Sequence, residues 1–282
     1  MKKLMITLSI VGLTLVAVVA LILFLPEFPG FFAADTGSQT AILSPNIPPA
    51  ASPPAQLAEA DEPDDYEEYI PQTIHDFLAQ NPFPEGFVAD NSALPWYLKL
   101  VNRYNAIDED FDIAVVYVEG VNFEERAAQP FVAMLEYARE LGLDLVAFSG
   151  YRGMEHQQRL FDNQMQRNRN EGLSEEDAFE ASRRVVAYPG TSEHNLGLAL
   201  DMAVRGQYTL WGAFAYTDEG IWVANNAHRF GFILRYPYHK QHITNIIYEP
   251  WHFRYVGEYH ATFMFENDVV LEEYIFWLQN KQ

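Results

Sequence analysis

The chain has 282 residues, with 39 acidic against 18 basic side chains and a net charge of −21. That excess of acid argues against nucleic acid as a partner, because a phosphate backbone attracts basic patches. The absence of cysteine excludes a disulfide framework and a lipid-modified N-terminal cysteine, and otherwise leaves the redox compartment open.

Met1-Lys-Lys precedes an uncharged apolar run from Leu4 to Leu25. The run matches the roughly 20 residues that a helix needs to cross a bilayer. The apolar segment of a removed secretory signal is usually shorter, about 7–15 residues. Ala33-Ala34 is a weak cleavage site, so an uncleaved anchor is favoured over a removed signal. No Lys or Arg follows Lys3 until Lys99, and the positive-inside rule then puts Met1 in the cytoplasm and the rest outside.

From about Asp35 to Ile70 the sequence is rich in Pro, Ala, Ser and acids. Glu59, Asp61, Glu62, Asp64, Asp65, Glu67 and Glu68 crowd into ten residues, a self-repelling solvated spacer rather than a metal site. Such composition buries no core and reads as an extended linker. Ile70 to Asp90 is ambiguous, with His75-Asp-Phe-Leu open to a short helix that packs on the domain. The division expected is an anchor or signal segment over 1–34, a linker over 35–90 and one globular domain over 91–282.

Within that domain, 112–118 and 143–148 are apolar and β-branched enough to read as strands. Between them Phe131, Met134, Leu135, Ala138 and Leu141 recur at helical spacing, with Gly142 as the C-cap and Pro130 marking either the first turn or a kink. A helix is predicted over 154–169. A third follows from the capping sequence Ser174-Glu-Glu-Asp177 to about Val185. Strands are expected over 198–204, 232–236 and 251–256, a short helix near 222–230 and a closing helix over 271–278. Helices and strands mix without a regular βαβ rhythm, so the fold class expected is α+β with a mainly antiparallel sheet flanked by helices.

Two strings carry the chemistry: 189–201 (PGTSEHNLGLALD) and 248–256 (YEPWHFRYV). His194, Asp201 and His252 are a ligand set that zinc accepts, with a fourth position left for water. Gly190 and Gly197 let the backbone turn around His194, and a strand entered after Gly197 puts Ala199 and Asp201 on one face. Glu249 precedes His252 by three residues with Pro250 between, so the pair is not a helical metal motif. Glu249 instead sits at a loop-to-strand entry, as a carboxylate able to take a proton from water or as an ordinary surface acid. Arg152 falls after a strand, where its planar donors suit a carboxylate or an oxyanion; a structural salt bridge is the equal alternative.

These residues resemble the VanY-type D-alanyl-D-alanine carboxypeptidases, of the LAS group of zinc peptidases. The resemblance lies in Ser149-Gly-Tyr-Arg152 with Gln157, in Ser192-x-His194-x-x-Gly197-x-Ala199-x-Asp201, and in Glu249-Pro-Trp-His252, and extends over roughly 94–257. It implies one zinc ion on His194, Asp201 and His252, Glu249 as catalytic base, and Arg152 on the scissile carbonyl or the terminal carboxylate. Gln157, Ser192 and Tyr151 would hold substrate. Gly153, Met154 and Asn245 depart from the residues common in the family, at positions that shape the groove. The implied activity is removal of the C-terminal D-alanine from peptidoglycan stem peptides outside the cell, by an enzyme held at the membrane by its N-terminal helix. The alternatives are an L,D-carboxypeptidase trimming tetrapeptide stems, a cross-bridge endopeptidase, and a non-catalytic zinc-stabilised wall-binding module.

Overall fold

The computed structural model describes residues 74–107, 113–208 and 212–281. The apolar run at 4–25, most of the linker and the first residue of the strand expected from Asp112 lie outside the described residues. Among the described residues no helix is long and apolar enough to cross a membrane.

A four-stranded sheet organises the domain. It comprises β3 (Leu145–Ser149), β4 (Ala199–Val204), β5 (Phe232–Leu234) and β6 (His252–Tyr255), in the order β3-β4-β6-β5 with every neighbouring pair antiparallel. A separate hairpin pairs β1 (Val115–Val118) with β2 (Val121–Glu124). The α+β expectation therefore holds, and the sheets are wholly antiparallel. The hairpin's second strand is absent from the sequence reading. Its signal is the two-residue loop Glu119-Gly120, with φ of 50° and 89°, the all-positive pattern of a type I′ turn.

Helix α1 (Ile74–Gln80) lies in the stretch assigned to the linker, yet Ile74 is buried and Phe77, Phe83 and Phe87 each pack their rings against Phe276. Residues 74–90 thus belong physically to the domain, because four apolar side chains there find a surface to bury against. Helix α2 (Ala128–Glu140) buries Phe131, Met134, Leu135 and Ala138, the stripe read from the sequence. Pro130 falls in its first turn, where no intrahelical N–H is needed, and Gly142 follows at φ 80°. Phe123 packs tilted against Phe131 and stacks on Phe232, at centroid distances of 5.4 Å and 6.1 Å, which joins hairpin, helix and sheet.

Helix α3 (Met154–Asn170) matches its expected span closely, and α4 (Glu175–Ser182) begins where Ser174 accepts a hydrogen bond from Asp177 N. Helix α5 (Asp218–Asn226) starts four residues earlier than expected because Thr217 caps it, and 227–230 forms a tighter turn ended by Gly231 at φ 80°. A short α6 (Gln241–Thr244) precedes β6. Helix α7 (Glu258–Glu266) escaped the sequence reading: its buried His260, Ala261, Phe263 and Met264 sit beside exposed Phe265, and no clean polar face marks it. It packs with the closing helix α8 (Leu271–Asn280) in a cluster that includes Leu98, Leu100, Ile275 and Trp277.

Four fully buried charged side chains bind these pieces. Glu193 accepts from Arg235 Nε at 2.8 Å and from Arg254 at 2.9 Å, while Arg235 also grips Glu272 with two bonds of 2.8 Å and 2.6 Å. Two guanidinium groups and two carboxylates leave the cluster neutral, which is the condition under which buried charge is tolerated. Breaking it should cost far more than a surface pair. Arg235→Ala strips buried Glu272 of its arginine and leaves Glu193 with Arg254 alone, and we expect a loss of about 3–5 kcal/mol in urea unfolding monitored by tryptophan fluorescence; a loss below 1 kcal/mol would mean that solvent reaches the cluster.

Candidate active site

His194 is carried by a single turn, Glu193–Leu196, that ends at Gly197 with φ 68°. That left-handed residue turns the chain directly into β4, and a Cβ there would come within 2.5 Å of Ile113. Asp201 follows on β4. The register sets Asp201 opposite His252 on β6 and opposite Ser149 on β3, next to an irregularity between Ala147 and Ser149. Directly paired residues on antiparallel strands project to the same face, so two ligands from distant parts of the chain meet without any loop between them.

Each ring nitrogen has a distinct task. His194 Nδ1 lies 2.7 Å from the carbonyl of Gly150, and a carbonyl only accepts, so the proton sits on Nδ1 and Nε2 is left with its lone pair. That Nε2 is 3.3 Å from Asp201 Oδ1. His252 faces the same oxygen with the other nitrogen: Nδ1 is 3.2 Å from Asp201 Oδ1 and 3.6 Å from Glu249 Oε2, while Nε2 points to Glu193 Oε2 at 3.6 Å. The two imidazoles meet edge to face at 4.9 Å.

His194, Asp201 and His252 are all buried, and His194 Nε2 and Asp201 Oδ1 have no hydrogen-bond partner among the described residues. Buried polar atoms left in this way call for a ligand. A tetrahedral ion with bonds of about 2.0–2.2 Å separates its ligand atoms by about 3.3–3.6 Å; the two imidazole nitrogens lie 3.3 Å and 3.2 Å from Asp201 Oδ1, and all three ligand atoms fall within 4.8 Å of one another. The donor set fits zinc. Glu193 behind His252 is the carboxylate partner that commonly orients a metal-bound imidazole.

The electrostatics divide the site. Burial pushes His194 down to about 4. Burial also opposes charge on His252, but Asp201 and Glu193 outweigh it and push that imidazole up to about 9. Asp201 stays well below the usual carboxylate range despite burial, held by His194, His252 and Arg152. Burial pushes Glu249 up to about 8, only partly offset by His252. A divalent cation beside Glu249 would draw that carboxyl back toward the ionised form that accepts a proton.

Glu249 lies in the turn before β6, its N–H bonded to Tyr236 O and its carbonyl accepting from His252 N. Arg152 follows β3, with one guanidinium nitrogen 3.4 Å from Asp201 Oδ2 and another 3.2 Å from Gln157 Oε1. The other end of Gln157 donates to Ala187 O at 2.7 Å, so the structure shows Gln157 gripping Arg152. Asn195 and the His194 turn hold the Arg152 backbone, through bonds of 2.6 Å and 3.0 Å. Ser192 is buried just ahead of His194, and Tyr151 is half-buried with its hydroxyl over Gly153. Glu193 and Asn195 were missed by sequence reasoning. Both flank His194, and only the fold reveals what they touch.

The family model described as VanY, D-alanyl-D-alanine carboxypeptidase, matches residues 120–258, which contain every one of these groups. A solved structure of VanYB in complex with D-Alanine-D-Alanine is 36% identical, with a TM-score of 0.60, and covers 67% of this chain and 100% of that one. The chain belongs to the VanY family. A second VanY structure, in complex with Zn(II), shares 36% identity with a TM-score of 0.59 over 64% of this chain and 99% of that one. The LdcB LD-carboxypeptidase is also 36% identical, with a TM-score of 0.55 over 63% of this chain and 84% of that one. Among curated relatives, the putative carboxypeptidase YodJ of Bacillus subtilis is 40% identical over 189 residues, which is 63% of this chain and 66% of that protein. The cofactor of the site is zinc, in keeping with the Zn(II)-bound relative and with the His-Asp-His cluster.

Metal content should separate the roles. His194→Ala and His252→Ala should lose the ion, whereas Glu249→Gln should retain about one zinc per chain by elemental analysis. Loss of zinc from Glu249→Gln would make that carboxylate a ligand.

Proposed function

We propose that the protein is a zinc carboxypeptidase that removes the C-terminal D-alanine from peptidoglycan stem peptides. The observation that carries this reading is Glu249. It is a buried carboxylate 3.6 Å from the ligand nitrogen of His252 and outside the three-residue metal cluster. A wall-binding module stapled by zinc would not need it.

Bound between His194, Asp201 and His252, zinc supplies Lewis acidity toward a peptide carbonyl and acidifies water. The chain's own groups do the rest. Glu249 accepts a proton from the attacking water as its oxygen bonds to the carbonyl carbon. When the C–N bond breaks, Glu249 returns that proton to the departing amine of D-alanine. Arg152, held in place by Gln157 and Asp201, offers its remaining donors to the oxyanion or to the free carboxylate of the substrate. Ser192, two residues before His194, and Tyr151, next to Arg152, are assigned to holding the substrate.

A second reading keeps the site and changes the stem: an L,D-carboxypeptidase. Its support is the LdcB likeness, at the same 36% identity as the VanY structures. Digestion of purified muropeptides by the zinc-loaded full chain decides between them by mass spectrometry. Pentapeptide stems should convert to tetrapeptides; loss of tetrapeptides alone would establish the L,D activity instead. Glu249→Gln should lower kcat by roughly 10²–10⁴-fold, and near-normal turnover would refute the base assignment.

The same proposal places the domain outside the cell, tethered by the apolar run at 4–25 and the acidic spacer. The support is Lys2 and Lys3 ahead of that run and the lack of any basic residue from there to Lys99. In cell fractionation the full chain should sediment with membranes and be degraded by protease added to intact protoplasts; protection from that protease would reverse the orientation.

A further inference from the structure

Beside the metal-binding cluster, a cavity of about 190 Å³ opens between α4, the loop at 187–191 and the loop at 244–246. Arg103, Arg183, Tyr188, Thr191, Tyr236 and Asn245 are among its walls. Ile247 N donates to Arg184 O at 3.0 Å, which ties the loop after α6 to the end of α4.

The cavity's charge is opposite to that of the chain. Arg103 and Arg183 share one partner, Glu180, at 3.1 Å and 2.6 Å. Glu180 is half-exposed and is not part of the lining, so no carboxylate lines the cavity among the described residues. Two guanidinium groups against one acid leave an excess positive charge. Arg103 Nε is buried and has no hydrogen-bond partner among the described residues. Half-exposed pairs of this kind contribute little to stability, so the ion pairs alone do not account for two arginines converging here. A planar carboxylate is the group that a guanidinium fork matches.

The position of the cavity says whose carboxylate that is. Tyr236 is a shared wall: it lines the cavity, and its ring sits 4.8 Å, centroid to centroid, from the ring of His252. An extended peptide advances about 3.3–3.6 Å per residue, so a substrate cleaved at the His252 side reaches the cavity within a few residues. The departing D-alanine carries a single carboxylate, and Arg152 lies beside Asp201 to meet it. Any second carboxylate must belong to the N-terminal side of the scissile bond.

We propose that this cavity binds a second carboxylate of the substrate peptide, borne N-terminal to the scissile bond, through Arg103 and Arg183. The proposal rests on the carboxypeptidase reading above and names a specificity within it: peptides with a free upstream carboxylate are preferred to their amides. Within a stem peptide that group is either the α-carboxylate of a γ-linked glutamate or the distal carboxylate of a diaminopimelate.

Three pentapeptides ending in D-Ala-D-Ala test it by calorimetry on the zinc-loaded full chain carrying Glu249→Gln, which binds without turnover. One has γ-linked glutamate followed by lysine, the second is its α-amide, and the third carries the α-amide with diaminopimelate in place of lysine. We expect an acid-bearing peptide to bind about tenfold more tightly than the α-amide lysine peptide, which lacks both upstream carboxylates, the scale of one charge-assisted contact. The first and third peptides distinguish the two sources. Adding Arg103→Gln and Arg183→Gln should erase the preference while the thermal unfolding midpoint stays unchanged, and the single variants should each reduce it if the pair does not fold. In the active chain the same substitutions should raise KM for the acid peptide and leave kcat alone. Equal binding of all three peptides, or a preference that survives both substitutions, overturns the proposal. Failure of the wild-type chain to cleave a short Lys-D-Ala-D-Ala peptide would instead sink the D,D-carboxypeptidase reading, and the binding comparison would still report on the cavity.

Discussion

Glu193 is the side chain through which the catalytic half of the molecule is fastened together. One of its oxygens takes bonds from both Arg235 and Arg254, and the other faces His252 Nε2 at 3.6 Å. Arg235 continues to Glu272 on α8, and Arg254 reaches the backbone carbonyls of Tyr97 and Lys99. The turn that carries His194, the strand that carries His252, the C-terminal helix and the segment entering the domain are thereby fixed to one buried carboxylate. Its charge is matched rather than solvated, so any shift of a single partner leaves an unpaired ion in a dry interior. That makes the arrangement stiff. A stiff outer shell is what a metal site needs if its ligands are to be in position before the ion arrives.

The two histidines show what this stiffness achieves. They are ring neighbours in the same buried site, yet burial lowers His194 while adjacent carboxylates raise His252. Burial and Arg152 lower the first, Asp201 and Glu193 raise the second, and part of the difference lies in their second nitrogens. His194 donates to a neutral carbonyl, and His252 faces the charged Glu193. Glu249 completes the contrast as an acid whose neutral form is favoured by burial until a cation stands next to it. Two imidazoles and a carboxyl in one site thus differ in protonation by their surroundings more than by residue type.

Global and local charge part company in this chain. A net charge of −21 keeps the protein away from polyanions. Around the site the order is reversed: Arg152 stands beside Asp201, and Arg103 and Arg183 outnumber their single acidic partner. These local guanidinium groups are a feature that a whole-chain charge does not disclose.

The His194, Asp201 and His252 cluster was legible in the sequence because its members sit in short strings whose glycines and prolines dictate the local turn, and the structure brings Glu249 and Arg152 beside it. Helix α2 was legible because its buried stripe repeats at helical spacing. Strand β2 and helix α7 were not read, the first because its turn is Glu-Gly rather than Asn-Gly, the second because its apolar residues form no single stripe. The tertiary structure alone decided that Asp201 stands opposite His252, that Gln157 and Asn195 hold Arg152, and that Glu193, held by a pair of buried arginines, backs His252. These contacts join residues up to 61 positions apart, as between Glu193 and Arg254. Local periodicity records which face of an element is buried, but carries no record of which distant side chain will neutralise a charge once it is there.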